Sequence, residues 1–443
     1  MTHANAVEGS ERWRGSRWLA VAVVGLVCVR VAGVMWAAVG NTHGDYYASL
    51  PGTYVRTLNP VLWNSADMEG AMGFQLDTYY HGPTQYLTLY PLAYLDSYAQ
   101  IASVLLAVYA VVLAGAFWCL YVGISRLAPR QPLAVPLFAS TFLFFPLLQA
   151  YLQREFEVVV FFGLAAALAL LLSDRRIAAA GVLGYVAWFK YIPLLFAGYL
   201  ALRGWLKATM VFGAVSIVVL GITHAVFGLS GFVNNNVPDH AAQVLALWDY
   251  GYWVDAAGEL HGSGFCQGWF ESETTLANVR HGLCAIGART GWLQPHLAYW
   301  LLCLAIAAAY LTTHARLSRV ARLSDSDENW RRALEFSIVT TVCACFFFAH
   351  YYYLIVLAIP FNVLLARYVS GRAWSLLGLW GLSYFLISAF LVPTGVLSRA
   401  LGTDVWAVYM GGSWFLYGEL LLMALLLREY WDLGRCATRD AAA

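Results

Sequence analysis

The sequence predicts an all-α polytopic membrane protein, a bundle of about twelve transmembrane segments, and three observations predict it. Of the 443 residues, 61% are hydrophobic and only 12% charged, where a soluble domain carries about 25% charged residues. Apolar runs of roughly 18 residues or more recur from end to end, each long enough to cross a hydrocarbon core about 30 Å thick as a helix. The charges also segregate. Threading the runs back and forth puts Arg12, Arg14, Arg17, Arg126, Arg130, Arg175, Arg176, Arg203, Lys207, Arg316, Arg319, Arg322, Arg331, Arg332, Arg367, Arg372, Arg428, Arg435 and Arg439 on one side. Asp45, Asp67, Glu69, Asp77, Glu155, Glu157, Asp255, Glu271 and other acids fall on the opposite side. By the positive-inside rule the basic side is cytoplasmic, with both termini there and the acids outside.

The elements follow in order. Residues 18–39 form the first span; three arginines precede it, but the run is too long for a signal peptide and lacks a small-residue cleavage site, so it reads as a retained anchor. An outward loop, 40–97, contains "HGPTQYLTLYPLAYL" (81–95), apolar but too interrupted to span, which suits a helix lying along the interface. Spans follow at 98–124, 133–150 and 156–173. Within 177–202 both flanks are basic, Arg175-Arg176 and Arg203 to Lys207, so the chain enters and returns on one side as a bent pair. Pro193 supplies the break and Lys190 sits near its apex. Then come 208–228, a second long outward loop at 229–293, and spans at 294–313, 333–349, 352–367, 374–392 and 408–427. Long loops of this kind hold function or short helices of their own. No repeat, low-complexity tract or soluble domain interrupts the chain, so 1–443 reads as one integral membrane domain. Cys266 and Cys284 alone share an outward loop, where an oxidising compartment permits a disulfide; the sequence leaves open whether they meet.

There is no G-x-x-x-x-G-K-[ST], no G-x-G-x-x-G opening a helix, no H-E-x-x-H and no G-x-S-x-G, so nucleotide and hydrolase chemistry have no support. Catalysis must then use scattered outward groups at the membrane surface, a requirement that a lipid-linked substrate meets directly. Asp45 in "GDYYASL" either caps the exit of the first span as a solvated carboxylate or, desolvated at an apolar boundary beside Tyr46 and Tyr47, serves as a proton acceptor. Lys190 in "WFKYIP" either snorkels or meets an anionic lipid phosphate. Arg154, flanked by Glu155 and Glu157, either pairs with them or joins Lys190. His350 and Tyr351 in "FFFAHYYYLIV" are either an aromatic belt or contacts to phosphate and sugar. His81 and Arg56 in the first loop are further candidates, and Arg30 inside the first helix could pair with a buried acid such as Glu419.

On these residues the chain resembles the GT-C superfamily, and most closely glycosyltransferase family 87, which includes polyprenol-phosphate-mannose-dependent mannosyltransferases. The family has an Asp followed by Tyr just after the first helix, which "GDYYASL" matches, and an aromatic-Pro segment before the second span, which "HGPTQYLTLYPL" resembles. The stretch from "FEVVVFFG" to "LRGWLKA" carries the family's rhythm of span, basic pair, Lys-x-x-Pro break and basic turn, placing its lysine on Lys190. Two departures stand out: "REFE" (154–157) where many members carry Gly-Gln-x-Asn, and "AHYYY" where many carry paired histidines. The resemblance implies an inverting glycosyltransferase at the outer face of a bacterial cytoplasmic membrane. Its donor would be a polyprenyl-phosphate sugar, mannose by analogy, and its acceptor a glycolipid or glycan. Asp45 would be the base, with Lys190, Arg154, His350 and Arg56 at the donor phosphate and Tyr46, Tyr47, His81 and Tyr351 at sugar or acceptor. No cofactor is required on this reading, a divalent metal is optional, and membrane lipids but no nucleic acid are partners. A lipid-linked-sugar flippase and an oligosaccharide ligase fit the same scaffold.

Overall fold

The computed structural model describes residues 20–36, 84, 87–88, 90–95, 98–152, 155–190, 194–227, 252–262, 265–266, 277–320, 323–346, 351–371, 373–388 and 394–442. Its helices are α1 Ala20–Trp36, α2 Tyr98–Ser125, α3 Ala134–Phe142, α4 Phe145–Leu152, α5 Glu157–Leu172, α6 Arg176–Lys190, α7 Leu195–Leu202 and α8 Leu206–Phe227. After a small antiparallel hairpin, β1 Tyr252–Val254 with β2 Leu260–Gly262, come α9 Val279–Thr290, α10 Pro295–Arg319, α11 Asp325–Cys345, α12 Ala358–Gly371, α13 Trp374–Ile387, α14 Thr394–Leu401, α15 Val405–Gly411 and α16 Trp414–Ala442. Short 3-10 turns occupy Tyr90–Tyr94 and Tyr351–Leu357.

The all-helical membrane architecture agrees with the sequence, and the helices show which spans are long. Four segments among the described residues are long and apolar enough to cross a bilayer, at Ser103–Ser125, Leu206–Thr223, Pro295–Arg319 and Tyr353–Gly371. The number is six if α3 with α4 and α15 with α16, bent by 54° and 52°, each count as one span. Four more apolar helices, α1, α5, α6 and α13, are shorter. The run expected at 333–349 falls in α11, which begins a full two turns earlier because Ser324 caps it. The Ser324 hydroxyl accepts from Asp327 N at 3.1 Å, and Asp325, Asp327 and Glu328 sit in the first turn, where the helix dipole favours acids.

The bends have physical causes. In α3–α4, Pro146 has no N–H to continue the ladder, so the helix breaks ahead of it. The freed Phe145 N–H donates to Ser388 Oγ at 2.6 Å, and Tyr384 hydroxyl donates to Ser140 O at 2.7 Å. Asn362 Nδ2 donates to Thr141 Oγ1 at 2.9 Å, binding α12 to the end of α3. A break inside hydrocarbon stands only when neighbouring helices satisfy its backbone in this way. In α15–α16 the chain turns through Gly411, Gly412 and Ser413, the last at φ 53°. Close helix contacts elsewhere depend on glycine: a Cβ at Gly184 of α6 would lie 2.7 Å from Phe212 O of α8.

The arginine-rich ends of the helices are tied together. Glu335 of α11 is fully buried and accepts from Arg331 Nε at 3.0 Å and Tyr430 hydroxyl at 2.6 Å. Arg203, in the turn after α7, lies 3.4 Å from Glu335 and also bonds Glu328. Arg332 reaches Glu328 at 3.0 Å and Asp174 at 3.1 Å. Arg176, Arg203 and Arg332 each lie over the Trp205 ring, at 4.8, 4.7 and 5.8 Å from its centroid. Three turns that the sequence marks only as basic are thus stapled into one network.

Candidate functional site

Most residues singled out from the sequence lie outside the described residues: Asp45, Tyr46, Tyr47, Arg56, His81, Arg154 and His350. The Lys190 backbone closes α6, while its side chain falls outside the description. Pro193 does too, although the change from α6 to α7 brackets it. At 1.5 Å per residue the 15-residue α6 rises about 22 Å, so alone it is too short to cross a roughly 30 Å core.

What the structure does place are the neighbours of these residues in the chain. From the first loop, Thr84 is fully buried and its hydroxyl donates to Tyr185 O of α6 at 3.1 Å. Thr88 Oγ1 and Tyr185 hydroxyl are 2.9 Å apart. The segment three residues after His81 is therefore docked on α6 just five residues before Lys190. The Tyr90–Tyr94 turn, within the stretch expected to lie along the interface, follows directly. α5 packs on α6, and the Tyr351–Leu357 turn packs on both α4 and α5. The flanks of the first loop, of Arg154, of Lys190 and of His350 thus gather around the start of α5 and the ends of α4 and α6.

Tyr351 is the one candidate whose side chain is described. It is 1% exposed, and its ring lies 5.7 Å from Phe145, 5.1 Å from Trp406 and 6.1 Å from Tyr409. Its hydroxyl donates to Ile387 O. Contact with a sugar would require that bond to open, so in this conformation Tyr351 is a wall residue. Glu157, the first residue of α5, placed by the sequence only on the outward side, is 3% exposed. Tyr109 of α2 feels both Glu155 and Glu157 and packs edge-on against Phe156. Arg30 lies beside Tyr384, and Glu419 is buried at 1% exposure.

The second loop contributes a braced platform. Cys266 and Cys284 form a disulfide, resolving the alternative the sequence left open. Arg280 Nε donates to Phe265 O at 2.7 Å and its guanidinium lies 5.0 Å from the Phe265 ring. Asn278 caps α9, its Oδ1 accepting from His281 N at 2.8 Å, and burial of the His281 ring pulls its pKa down to about 4. Asp255, Glu259 and His261 on the hairpin have potential ligand atoms within 4.8 Å of one another. There the His261 ring and the Glu259 and Ala257 amides hold Asp255 below the usual carboxylate range. That pattern is an Asx-type turn with a histidine partner, which a metal would have to displace.

Sequence reading missed Thr84, Tyr185 and Trp406. Tyr185 was visible only as another aromatic on an apolar helix; Trp406 carried a signal, since Asp404 accepts from Trp406 N and Ala407 N at 3.0 and 3.1 Å and so starts α15.

Fold and site together define a multi-pass, predominantly helical membrane protein in which Thr84, Thr88 and the Tyr351–Leu357 turn pack at the helix ends remote from its arginine network. The family model of glycosyltransferase family 87 matches residues 79–288, somewhat under half of the chain, and that stretch is similar to the family. The match includes His81, Arg154, Lys190 and the disulfide, and leaves out Asp45, Tyr46, Tyr47, Arg56, His350 and Tyr351. No curated protein and no solved structure matches the chain.

Proposed function

We propose that the protein is an inverting glycosyltransferase that takes a sugar, mannose by analogy, from a polyprenyl-phosphate donor and delivers it to a glycolipid or glycan hydroxyl at the outer face of a bacterial cytoplasmic membrane. The observation that carries the reading is the family match across 79–288, whose span includes the docking of Thr84 and Thr88 on Tyr185 near Lys190. Asp45 takes the proton of the acceptor hydroxyl as its oxygen attacks the anomeric carbon, and the carbon–oxygen bond to phosphate breaks on the opposite face. The leaving phosphate keeps the bonding pair and needs cations rather than an acid, the role of Lys190 and Arg154, with His350 and Arg56 as further donors. Tyr46, Tyr47 and His81 line the sugar, and no metal is needed for these steps. The disulfide in the second loop fits an oxidising, extracytoplasmic side.

A flippase gains some support from the structure, because bent helix pairs occur in both halves of the chain. Against it stands the arginine–glutamate network, which ties the turns after α5 and α7 to α11. The deciding experiment is purified protein in liposomes, given radiolabelled polyprenyl-phosphate mannose, nucleotide sugar, or labelled lipid alone. Sugar transfer from the lipid-linked donor supports the proposal; lipid translocation without transfer, or transfer only from nucleotide sugar, overturns it.

A further inference from the structure

The α5–α6 and α7–α8 connections are one turn built twice, 30 residues apart. In the first, Asp174 N and Arg175 N donate to Leu171 O and Leu170 O at 3.1 and 2.9 Å; in the second, Gly204 N and Trp205 N donate to Ala201 O and Leu200 O at 2.9 and 3.1 Å. This is the Schellman pattern, and it needs the left-handed conformation that Asp174 and Gly204 adopt, at φ 59° and 67°. Helix resumes at once after each, with Ala179 N donating to Arg175 O and Thr209 N to Trp205 O. The two helices that follow, α6 and α8, run side by side in one direction, and Ser216 Oγ donates to Gly184 O at 3.5 Å. The twin turns therefore sit together at the arginine-rich end, at the opposite end of α6 from Lys190.

Trp205 joins the two turns, because the guanidiniums of Arg176, Arg203 and Arg332 all lie over its ring. Asp174, Glu328 and Glu335 supply the counter-charges of those three cations. Arg175 and Lys207 are exposed, and among the described residues no acid pairs with either. They are surplus charge on a rigid support. Next to them lies an apolar strip: Leu206 and Met210 are 70% and 67% exposed. Both belong to α8, one of the long apolar spans, so the strip faces acyl chains. Two surplus cations beside a half-buried indole, bordering an acyl-facing strip, match the chemistry of a lipid with a negatively charged headgroup. A soluble anion would use the cations and leave the strip uncovered. We propose that the twin turns are a docking site for one anionic phospholipid of the adjoining leaflet, with its headgroup between Arg175 and Lys207 and a chain along Leu206 and Met210. The lipid clamps the bases of α6 and α8 together, and its site is independent of the donor reading given above.

The test titrates purified full-length protein with phosphatidylglycerol or phosphatidylcholine and counts the lipid held by native mass spectrometry. Wild type is compared with three double variants. Arg175→Gln with Lys207→Gln removes the two cations of the site. Arg319→Gln with Arg435→Gln removes two exposed cations elsewhere on the same side. Arg175→Lys with Lys207→Arg keeps both charges in place. The expectation is one phosphatidylglycerol held by wild type in preference to phosphatidylcholine, with an apparent affinity roughly 25-fold lower in the first variant, about fivefold for each cation removed. The other two variants should match wild type. In nanodiscs, phosphatidylglycerol should raise the thermal midpoint of wild type and not that of the first variant, while the two share one midpoint in phosphatidylcholine alone. Equal affinity in all four proteins, an equal loss with Arg319→Gln and Arg435→Gln, no preference between the two lipids, or displacement of the lipid by millimolar inorganic phosphate overturns the proposal.

Discussion

Replacing Glu335 tests how the bundle's arginine-rich end is held. The carboxylate is fully buried and has Arg331 at 3.0 Å, His314 at 3.2 Å, Arg203 at 3.4 Å and Tyr430 at 2.6 Å. Its Arg203 and Arg331 partners are themselves only 5% and 9% exposed. Glu335→Ala leaves two buried guanidiniums without this counter-charge, and removing one partner of a buried pair costs about 3–5 kcal/mol. Arg203 keeps Glu328, so the lower end, about 3 kcal/mol, is expected. Glu335→Gln retains an acceptor for Tyr430 and loses the charge, for which about 1–2 kcal/mol is expected. Thermal denaturation in detergent, followed by the fraction remaining monodisperse, measures both. An alanine variant within about 1 kcal/mol of wild type, the range of a solvated surface pair, would refute the reasoning.

Two further outcomes follow from the second loop. Because burial lowers the His281 pKa from 6.5 to about 4, the unfolded chain binds a proton in that window that the folded chain refuses. Stability from this residue is complete above pH 6.5 and falls as pH drops toward 4, by up to about 3 kcal/mol. His281→Gln should flatten that acid limb in pH-dependent denaturation; an unchanged limb contradicts the assignment. Reducing Cys266–Cys284, which are 18 residues apart, should lower stability by about 3 kcal/mol by the loop-closure estimate, measured by denaturation with and without reductant. A Cys266→Ser and Cys284→Ser double variant should lose the reductant effect.

Much of the fold was legible because hydrophobic length is a local property. The run read as 98–124 is α2 at Tyr98–Ser125, and 208–228 is α8 at Leu206–Phe227. The same-side return through 177–202 was readable from its basic flanks, and α6 and α7 separate there. The bends at α3–α4 and α15–α16 were not read, although Pro146 and Gly411-Gly412 were signals for them. Glu335 was hidden for another reason. Its spacing from Arg331 is visible in sequence, but Arg203, His314 and Tyr430 arrive from three other elements and only folding brings them together. Trp406 and Tyr185 failed for the reverse reason: in a chain with 18 Trp and 27 Tyr, residue type alone singles out none.

The central claim is that a carboxylate following α1 removes the acceptor's proton while the sugar leaves its lipid phosphate. Its most direct test is single-turnover transfer from polyprenyl-phosphate mannose by wild type and Asp45→Asn, with donor binding measured on the same preparations. The account predicts that binding is retained and that the transfer rate falls by about 10²–10⁴, the usual contribution of a general base. Transfer by Asp45→Asn at the wild-type rate would contradict it.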